Sequence, residues 1–278
     1  MDFSRTWLHA INDILTNGDL VSPRGKRTKE MPQRTIEVDM RRPVLRVPDR
    51  SLNYRFMAAE AFWILSGDDR VETIAPYNSR ITEFSDDGER FFGAYGPKIQ
   101  TQLPYIVEKL LADNDSRQAG LTIWRECPPQ TKDVPCTVAI FFAIRGGKLN
   151  VHVFMRSSDV WLGVPYDVFN FSMLGHLVCG LLNEHVEPVP VVENHQLTIE
   201  HNVPKRYPYI SPGALFLTAA SSHLYETNWD DAKLCLAAEP LEQPETPKLL
   251  WTDPHHLMDE LEVLRDTRPG DPRRWWEA

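Results

Sequence analysis

Positive charge is in short supply in this chain. Its 30 Lys and Arg stand against 39 Asp and Glu, a formal net charge of −9 over 278 residues. Nonspecific nucleic-acid binding relies on Lys and Arg to neutralise phosphates, so nucleic acid is not an expected partner. A small phosphorylated ligand stays open, because a few local arginines are enough to hold one. Cysteine is also scarce. Cys127, Cys136, Cys179 and Cys235 form no CxxC pair, which argues against zinc, and no metal is expected. No apolar run approaches the roughly 20 residues that span a bilayer, so no membrane is expected either. Residues 1–20 lack the apolar segment of a secretory signal. The expected setting is a reducing cytoplasm with free thiols. Repeats and low-complexity segments are absent.

What is present suits one sizeable domain. Hydrophobic residues make up 42% of the chain and charged residues 25%, values ordinary for a globular protein with a large core. A single domain is expected over residues 1–278. Phe3, Trp7, Ile11 and Leu15 share one helical face, so residues 3–15 read as a helix. Ser22 to Thr28 is basic, carries Pro and Gly, and reads as a loop. Residues 53–66 read as a buried helix ending at Gly67, and 103–112 as an amphipathic one. Strands are expected at 119–125 and 136–145, with Gly146-Gly147 turning the chain into a returning strand that ends at Arg156. A long apolar helix follows at 168–183, interrupted at Gly175. Residues 184–213, rich in Pro, His and Asn, read as an elaborated loop. A strand at 215–220, a helix beginning at His223 in the stretch to Ala237 and another at 254–265 complete the pattern. Hairpins rather than regular βαβ units make the class α+β.

The chemistry concentrates in two stretches. Cys136 opens an apolar strand. A buried cysteine is usually a small hydrophobe. As a nucleophile it needs a thiolate, stabilised by nearby cations, and the hairpin brings Arg156 within reach of that role. Arg156-Ser157 is either a strand-end polar pair or a phosphate clamp, a guanidinium with a hydroxyl as extra donor. Arg24, Arg27 and Arg117 are further loop arginines, each more often a solvated charge. Glu60 sits in an apolar helix between Ala59 and Ala61. A buried carboxylate is costly, so it is either paired or functional. Tyr95-Gly96 and His223-Leu224-Tyr225 are weak signals taken alone.

Together these pieces resemble the thymidylate synthase family, in the same order over about residues 1–250. Glu60-Ala61-Phe62-Trp63-Ile64-Leu65-Ser66-Gly67-Asp68 looks like its glutamate helix, Ala94-Tyr95-Gly96 its Tyr-Gly turn and Pro135-Cys136 its nucleophile motif. Asp115-Ser116-Arg117 resembles the segment that reaches into the partner subunit. Arg156-Ser157-Ser158-Asp159-Val160-Trp161-Leu162-Gly163 resembles the phosphate and folate segment, and His223-Leu224-Tyr225 the sugar-binding motif. The stretch from Glu239-Pro240 to Pro247-Lys248-Leu249 resembles the closing strand.

The resemblance implies a large mixed β-sheet covered by helices, with sheet faces packed in a homodimer. It implies Cys136 as the nucleophile that adds to C6 of a pyrimidine nucleotide, so that C5 takes a one-carbon unit from 5,10-methylenetetrahydrofolate, the co-substrate. Glu60 and Tyr95 would manage protons and ordered water. Arg24, Arg156 and Ser157 would hold the phosphate, with Arg117 donated by the other subunit. His223 and Tyr225 would meet the sugar, while Asp159, Leu162, Gly163 and Tyr166 would meet the folate.

Three departures from the family pattern refine this expectation. The position that is Asn in uracil-specific members is Asp167 here. A carboxylate accepts from the amine at position 4 of cytosine, and once protonated it can also donate to N3. The pattern therefore favours dCMP. Thr137 replaces the His that follows the nucleophile in thymidylate synthases. Ile81 and Phe84 stand where a folate-shielding tryptophan is expected, and the tail ends in Trp275-Trp276-Glu277-Ala278. A changed shield and cap suit capture of water rather than hydride. The expected activity is a dCMP hydroxymethyltransferase. The alternatives are a dCMP methylase, a dUMP-directed thymidylate synthase, and an idle relative that binds nucleotide or its own messenger RNA. An insertion at about 190–213 and a divergent tail at 251–278 have no counterpart in the resemblance.

Overall fold

Val151, Val153, Leu215 and Leu217 are buried, while their strand neighbours His152, Phe154, Phe216 and Thr218 are not. This alternation is that of a sheet packed on one face. The computed structural model, which describes residues 2–185 and 209–277, places these residues at the centre of a 7-stranded mixed sheet, six strands in the order β1-β2-β7-β5-β4-β3 and β6 pairing with β7 off that path. The strands are β1 (Asp19–Val21), β2 (Thr28–Asp39), β3 (Gly120–Thr122), β4 (Thr137–Arg145), β5 (Lys148–Met155), β6 (Ser158–Asp159) and β7 (Ser211–Tyr225). β5 and β6 run parallel to β7, and the other ladders are antiparallel. The helices are α1 (Phe3–Asn17), α2 (Tyr54–Leu65), α3 (Val71–Ile74), α4 (Gly96–Ala112), α5 (Val164–Glu184), α6 (Trp229–Leu236) and α7 (Pro254–Leu264).

α5 is apolar around nearly its whole circumference and buried along nearly its whole length. It packs against β5 and β7 on one side and against α2, α4 and α7 on the others. The opposite sheet face carries Phe141 and Phe154, 41% and 44% exposed, and His152 stacked on Phe216 at 4.8 Å. The β4–β5 hairpin turns at Gly146 and Gly147, whose φ values of 59° and 74° favour residues without a Cβ. Among the described residues, no helix is long and apolar enough to cross a membrane.

Several expectations about elements need correction. β7 continues through His223 to Tyr225, so those two residues end a strand and the helix starts only at Trp229. β2 lies where no strand was read. Its segment TKEMPQRTIEVD mixes polar residues on both faces, and Gln33 at φ 49° interrupts the ladder. α4 begins at Gly96 rather than at Leu103. It contains Pro104, an exposed residue that faces solvent, where a helix most easily tolerates a lost hydrogen bond. The strand expected at 119–125 shrinks to Gly120–Thr122. Residues 239–247 form no strand: Pro240, Pro244 and Pro247 have no N–H to donate, and the contacts left are single bonds such as Leu241 N to Arg46 O at 2.9 Å. The expected insertion at 190–213 falls largely outside the described residues. The tail docks beside α2 and α5, where Trp276 is buried against Tyr54 and Phe169 at centroid distances of 5.9 and 6.1 Å.

Candidate active site

The register of the β4–β5 hairpin brings cysteine and arginine together. Thr137 pairs with Met155, so Cys136 and Arg156 lie just beyond the ladder, and Arg156 N donates to Cys136 O at 2.9 Å. The guanidinium also holds the turn before the cysteine: Nε donates to Pro135 O at 3.0 Å and Nη2 to Val134 O at 2.8 Å. Its Nη1 has no hydrogen bond among the described residues. Burial pushes the half-buried Cys136 thiol up from its ordinary value. The positive charge of Arg156 opposes that push, Asp167 and Asp133 add to it, and Arg24 opposes it more weakly. Burial and the two aspartates outweigh the guanidinium charge, so the thiol is the stable form near neutral pH.

The opposite wall is built by α2, α5 and the turn before α4. Glu60 accepts from Asn170 Nδ2 at 2.7 Å. Burial pushes Glu60 up to about 7, and the amide donor pulls the other way. Asp167 lies in the first turn of α5, and a Cβ on Gly163 would meet its Oδ2 at 3.1 Å, so glycine there leaves room for the carboxyl. Burial pushes Asp167 well above the usual carboxylate range, and the negative charges of Glu60 and Asp159 reinforce the shift. No hydrogen bond to its carboxyl is formed among the described residues. Tyr95 Oη accepts from Thr137 N at 3.2 Å, and burial raises its pKa strongly. Thr137 itself is buried.

A third group sits where β6 meets β7. Asp159 Oδ1 accepts from Trp161 N at 2.8 Å and Leu162 N at 2.9 Å, which fixes the turn into α5. Its Oδ2 is buried without a partner among the described residues. Burial raises its pKa against those two hydrogen bonds and the nearby His223 and Arg50. Ser157 Oγ lies 3.5 Å from His223 Nδ1, and His223 packs edge-on to Tyr225 at 5.1 Å.

One cavity of about 450 Å³ collects most of these groups. Cys136, Glu60, Tyr95, Asp167, Arg24, Arg156, Ser157, Asp159, Leu162, Gly163, His223 and Tyr225 all line it. A second hollow of about 480 Å³ adjoins it and shares Arg24, Arg156, Ser157, His223 and Tyr225. Arg24 stands at the join with φ 54°, an uncommon backbone state for a residue with a Cβ.

Two expected site residues lie elsewhere. Arg117 is exposed between α4 and β3 and lines neither hollow. Tyr166 turns away, with its Oη accepting from Asn53 N at 3.1 Å and its ring edge-on to Phe56. Tyr166 and Asp167 are neighbours on a helix, so their side chains point about 100° apart and only one faces the cavity. Arg27 is held by Glu226. Ile81 and Phe84 line the rim, and Phe84 is 52% exposed. Sequence reasoning missed Asn170, whose one signal was an amide in an apolar stretch three residues after Asp167. It also missed Lys132 and Asp133, which have no local pattern. Among the described residues, no group of His, Cys, Asp or Glu is arranged to hold a metal.

The thymidylate synthase family model matches residues 5–195. The chain is similar to a deoxyuridylate hydroxymethyltransferase of Bacillus phage SP01, 32% identical over 182 residues, which covers 58% of this chain and 47% of that protein. It is also similar to a deoxyuridylate hydroxymethyltransferase of Pseudomonas phage M6, 32% identical over 157 residues, covering 53% of this chain and 45% of that protein. The chain spans about half the length of these curated relatives.

Proposed function

The chain belongs to the thymidylate synthase family, and on that footing we propose that it transfers a one-carbon unit from 5,10-methylenetetrahydrofolate to C5 of a pyrimidine nucleotide, preferentially dCMP, giving 5-hydroxymethyl-dCMP. The observation that carries the reading is the single cavity in which Cys136 and Arg156 face the carboxyls of Glu60 and Asp167.

The nucleotide phosphate lies against Arg156, Arg24 and Ser157, near the thiol. Cys136 Sγ gives up its proton and bonds to C6 of the base, which breaks the C5–C6 double bond and makes C5 the nucleophile. Glu60, poised near neutral pH, serves the proton transfers through ordered water. Asp167 reads the edge of the base. Its carboxyl has no hydrogen-bond partner among the described residues, and burial favours its protonated form. A protonated carboxyl donates to N3 of cytosine through its O–H and accepts the 4-amino group on its other oxygen. Uracil presents the reverse pattern at both atoms. C5 takes the one-carbon unit of methylenetetrahydrofolate. Loss of the C5 proton and departure of tetrahydrofolate leave an exocyclic methylene, to which water adds as the C6–Sγ bond breaks and the C5–C6 double bond returns. Asp159 Oδ2, buried and without a partner among the described residues, is an acceptor suited to the N–H-rich ring of the folate, with Leu162 and Gly163 beside it. Phe84 and Leu162 are 52% and 55% exposed at the rim, which favours entry of water for the final step.

A second copy of the chain would cover the open sheet face around Phe141 and Phe154. Arg117, exposed and without a partner among the described residues, would then complete the neighbouring phosphate site.

One observation favours uracil instead: both relatives are named for deoxyuridylate. The deciding experiment offers dCMP and dUMP separately with methylenetetrahydrofolate. Mass spectrometry identifies the product, and the dihydrofolate absorbance reports hydride transfer. Hydroxymethylated dCMP without dihydrofolate is expected. Hydroxymethylated dUMP would mean the base follows the relatives. A methylated product with dihydrofolate would overturn water capture.

A further inference from the structure

Asn170 belongs to no motif, yet it lines the cavity with one end of its amide tied to Glu60. It is 4% exposed. It lies one helical turn after Asp167 on α5, and side chains at that spacing share a face. Its Nδ2 donates to Glu60 Oε2 at 2.7 Å, while its Oδ1 is buried with no partner among the described residues although the residue lines the cavity. A buried polar atom left unpaired is costly and calls for a ligand or a water.

The orientation of the amide follows from Glu60. An ionised carboxylate only accepts, so the amide must turn its NH₂ towards Glu60, which leaves its carbonyl oxygen facing the cavity. A protonated Glu60 donates its O–H. The amide then turns over, accepts that bond on its oxygen and offers NH₂ to the cavity. The cavity face of Asn170 is an acceptor in the first state and a donor in the second. An exocyclic amine suits the acceptor, and a carbonyl suits the donor.

We infer that Asn170 is a specificity-determining residue that relays the protonation state of Glu60 to position 4 of the bound base, presenting an acceptor to cytosine when Glu60 is ionised. This rests on the pyrimidine nucleotide reading above, and extends it from Asp167 to a pair of readers on one helix face.

The charge on Glu60 is favoured over a charge on Asp167 because Glu60 has a hydrogen-bond donor and the Asp167 carboxyl has none among the described residues. Other titratable groups near this pair are Tyr166 on α5, Asp159 on β6, Tyr95 before α4 and Cys136 before β4. Burial holds both tyrosines and the thiol in their neutral forms near neutral pH, so they do not reverse the preference. Asp159 disfavours a second charge on Asp167, in the same direction.

The test is equilibrium binding of dCMP and dUMP to the wild-type chain, Asn170→Ala and Asn170→Ser, over about pH 5.5–8.5, a range in which neither base itself titrates. Taking the ratio of the two dissociation constants cancels the titration of the phosphate. In the wild type, preference for dCMP should rise with pH as Glu60 ionises. In both variants that slope should vanish, and dCMP should weaken about tenfold more than dUMP at the upper end. Thermal melts confirm that the variants fold, and Ser, which keeps a small polar group, covers the case in which Ala does not. A folded variant with the wild-type ratio and slope overturns the role of Asn170. Wild-type preference for dUMP at every pH overturns the cytosine reading, and the change of ratio on substitution then still decides for or against Asn170. Failure to bind either nucleotide overturns both.

Discussion

The two halves of α5 treat buried polar groups differently. Its C-terminal half carries His176 and Asn183. His176 Nδ1 lies 2.6 Å from Ser172 O and Nε2 lies 3.0 Å from Thr246 Oγ1. Asn183 donates to Ile210 O at 2.8 Å and accepts from Ile210 N at 3.0 Å. All of these groups are satisfied, and they tie the helix to the flanking chain. The N-terminal half, with the β6 turn that leads into it, carries Asn170 Oδ1, Asp159 Oδ2 and Ser158 Oγ, each buried without a partner among the described residues and each on a residue lining the cavity. A satisfied polar group fixes the fold, whereas an unsatisfied one beside a cavity is held ready for a ligand. The adjoining cavity matters, because Ser172 Oγ and the indole nitrogens of Trp275 and Trp276 are also unpaired among the described residues, away from it.

The largest effect should come from the ligand-facing region. Cys136→Ser should lower turnover at least about a thousandfold, since a hydroxyl is a far weaker nucleophile than a thiolate, while nucleotide binding is kept. The product assay alongside nucleotide binding measures both, and undiminished turnover would sink covalent catalysis.

The two regions should also respond to pH with opposite signs. Burial lowers His176 to about 4, against an ordinary value of 6.5. The folded state resists its protonation, so its neutral form is no burden above pH 6.5. Stability is then lost as pH falls from 6.5 towards 4, on the order of 3 kcal/mol in all. Glu60 is raised from 4.5 to about 7, so the folded state holds its proton longer than the unfolded chain. Stability on its account falls as pH rises from 4.5 to 7. Chemical denaturation of His176→Gln should lose the acid-side slope and keep the other. Equal slopes in wild type and variant would remove His176 as the cause.

Asn183→Ala should come next, costing about 2 kcal/mol because it leaves Ile210 N and O without their partners. Its melting temperature should drop while the dCMP to dUMP ratio stays at the wild-type value. A changed ratio would mean that the two halves of the helix are not independent.

The sequence carried most of this site and less of its frame. Cys136, Arg156, Glu60 and Asp167 were legible because each is a costly or reactive residue beside an apolar element, and resemblance gave them an order. β2 was not legible: its pattern is diluted by polar residues and broken at Gln33, and its pairing with β7 is a long-range choice. The closing strand was over-read, since resemblance does not reveal that three prolines remove the donors a ladder needs. Tyr166 was misplaced because motif continuity ignores rotation about a helix. Asn170 was passed over because an amide within Phe169-Asn170-Phe171 looks like an ordinary buried residue until Glu60 is found 2.7 Å away.

The smallest predicted effect bears most directly on base choice. Asp167→Asn replaces a carboxyl, which burial and the charges of Glu60 and Asp159 keep protonated, with a group of the same shape that has no acid proton. Both side chains can donate to one atom and accept from another. What distinguishes them is that a protonated carboxyl can carry its proton on either oxygen, whereas the amide has one donor end and one acceptor end. In its fixed orientation the amide offers NH₂ where cytosine offers its own amine, and that clash should shift relative kcat/KM towards dUMP by about tenfold, one mismatched buried pair. Melting temperature should hold or rise, since a buried ionisable group is lost. An unchanged ratio would leave Asn170 as the only base reader on this face of α5.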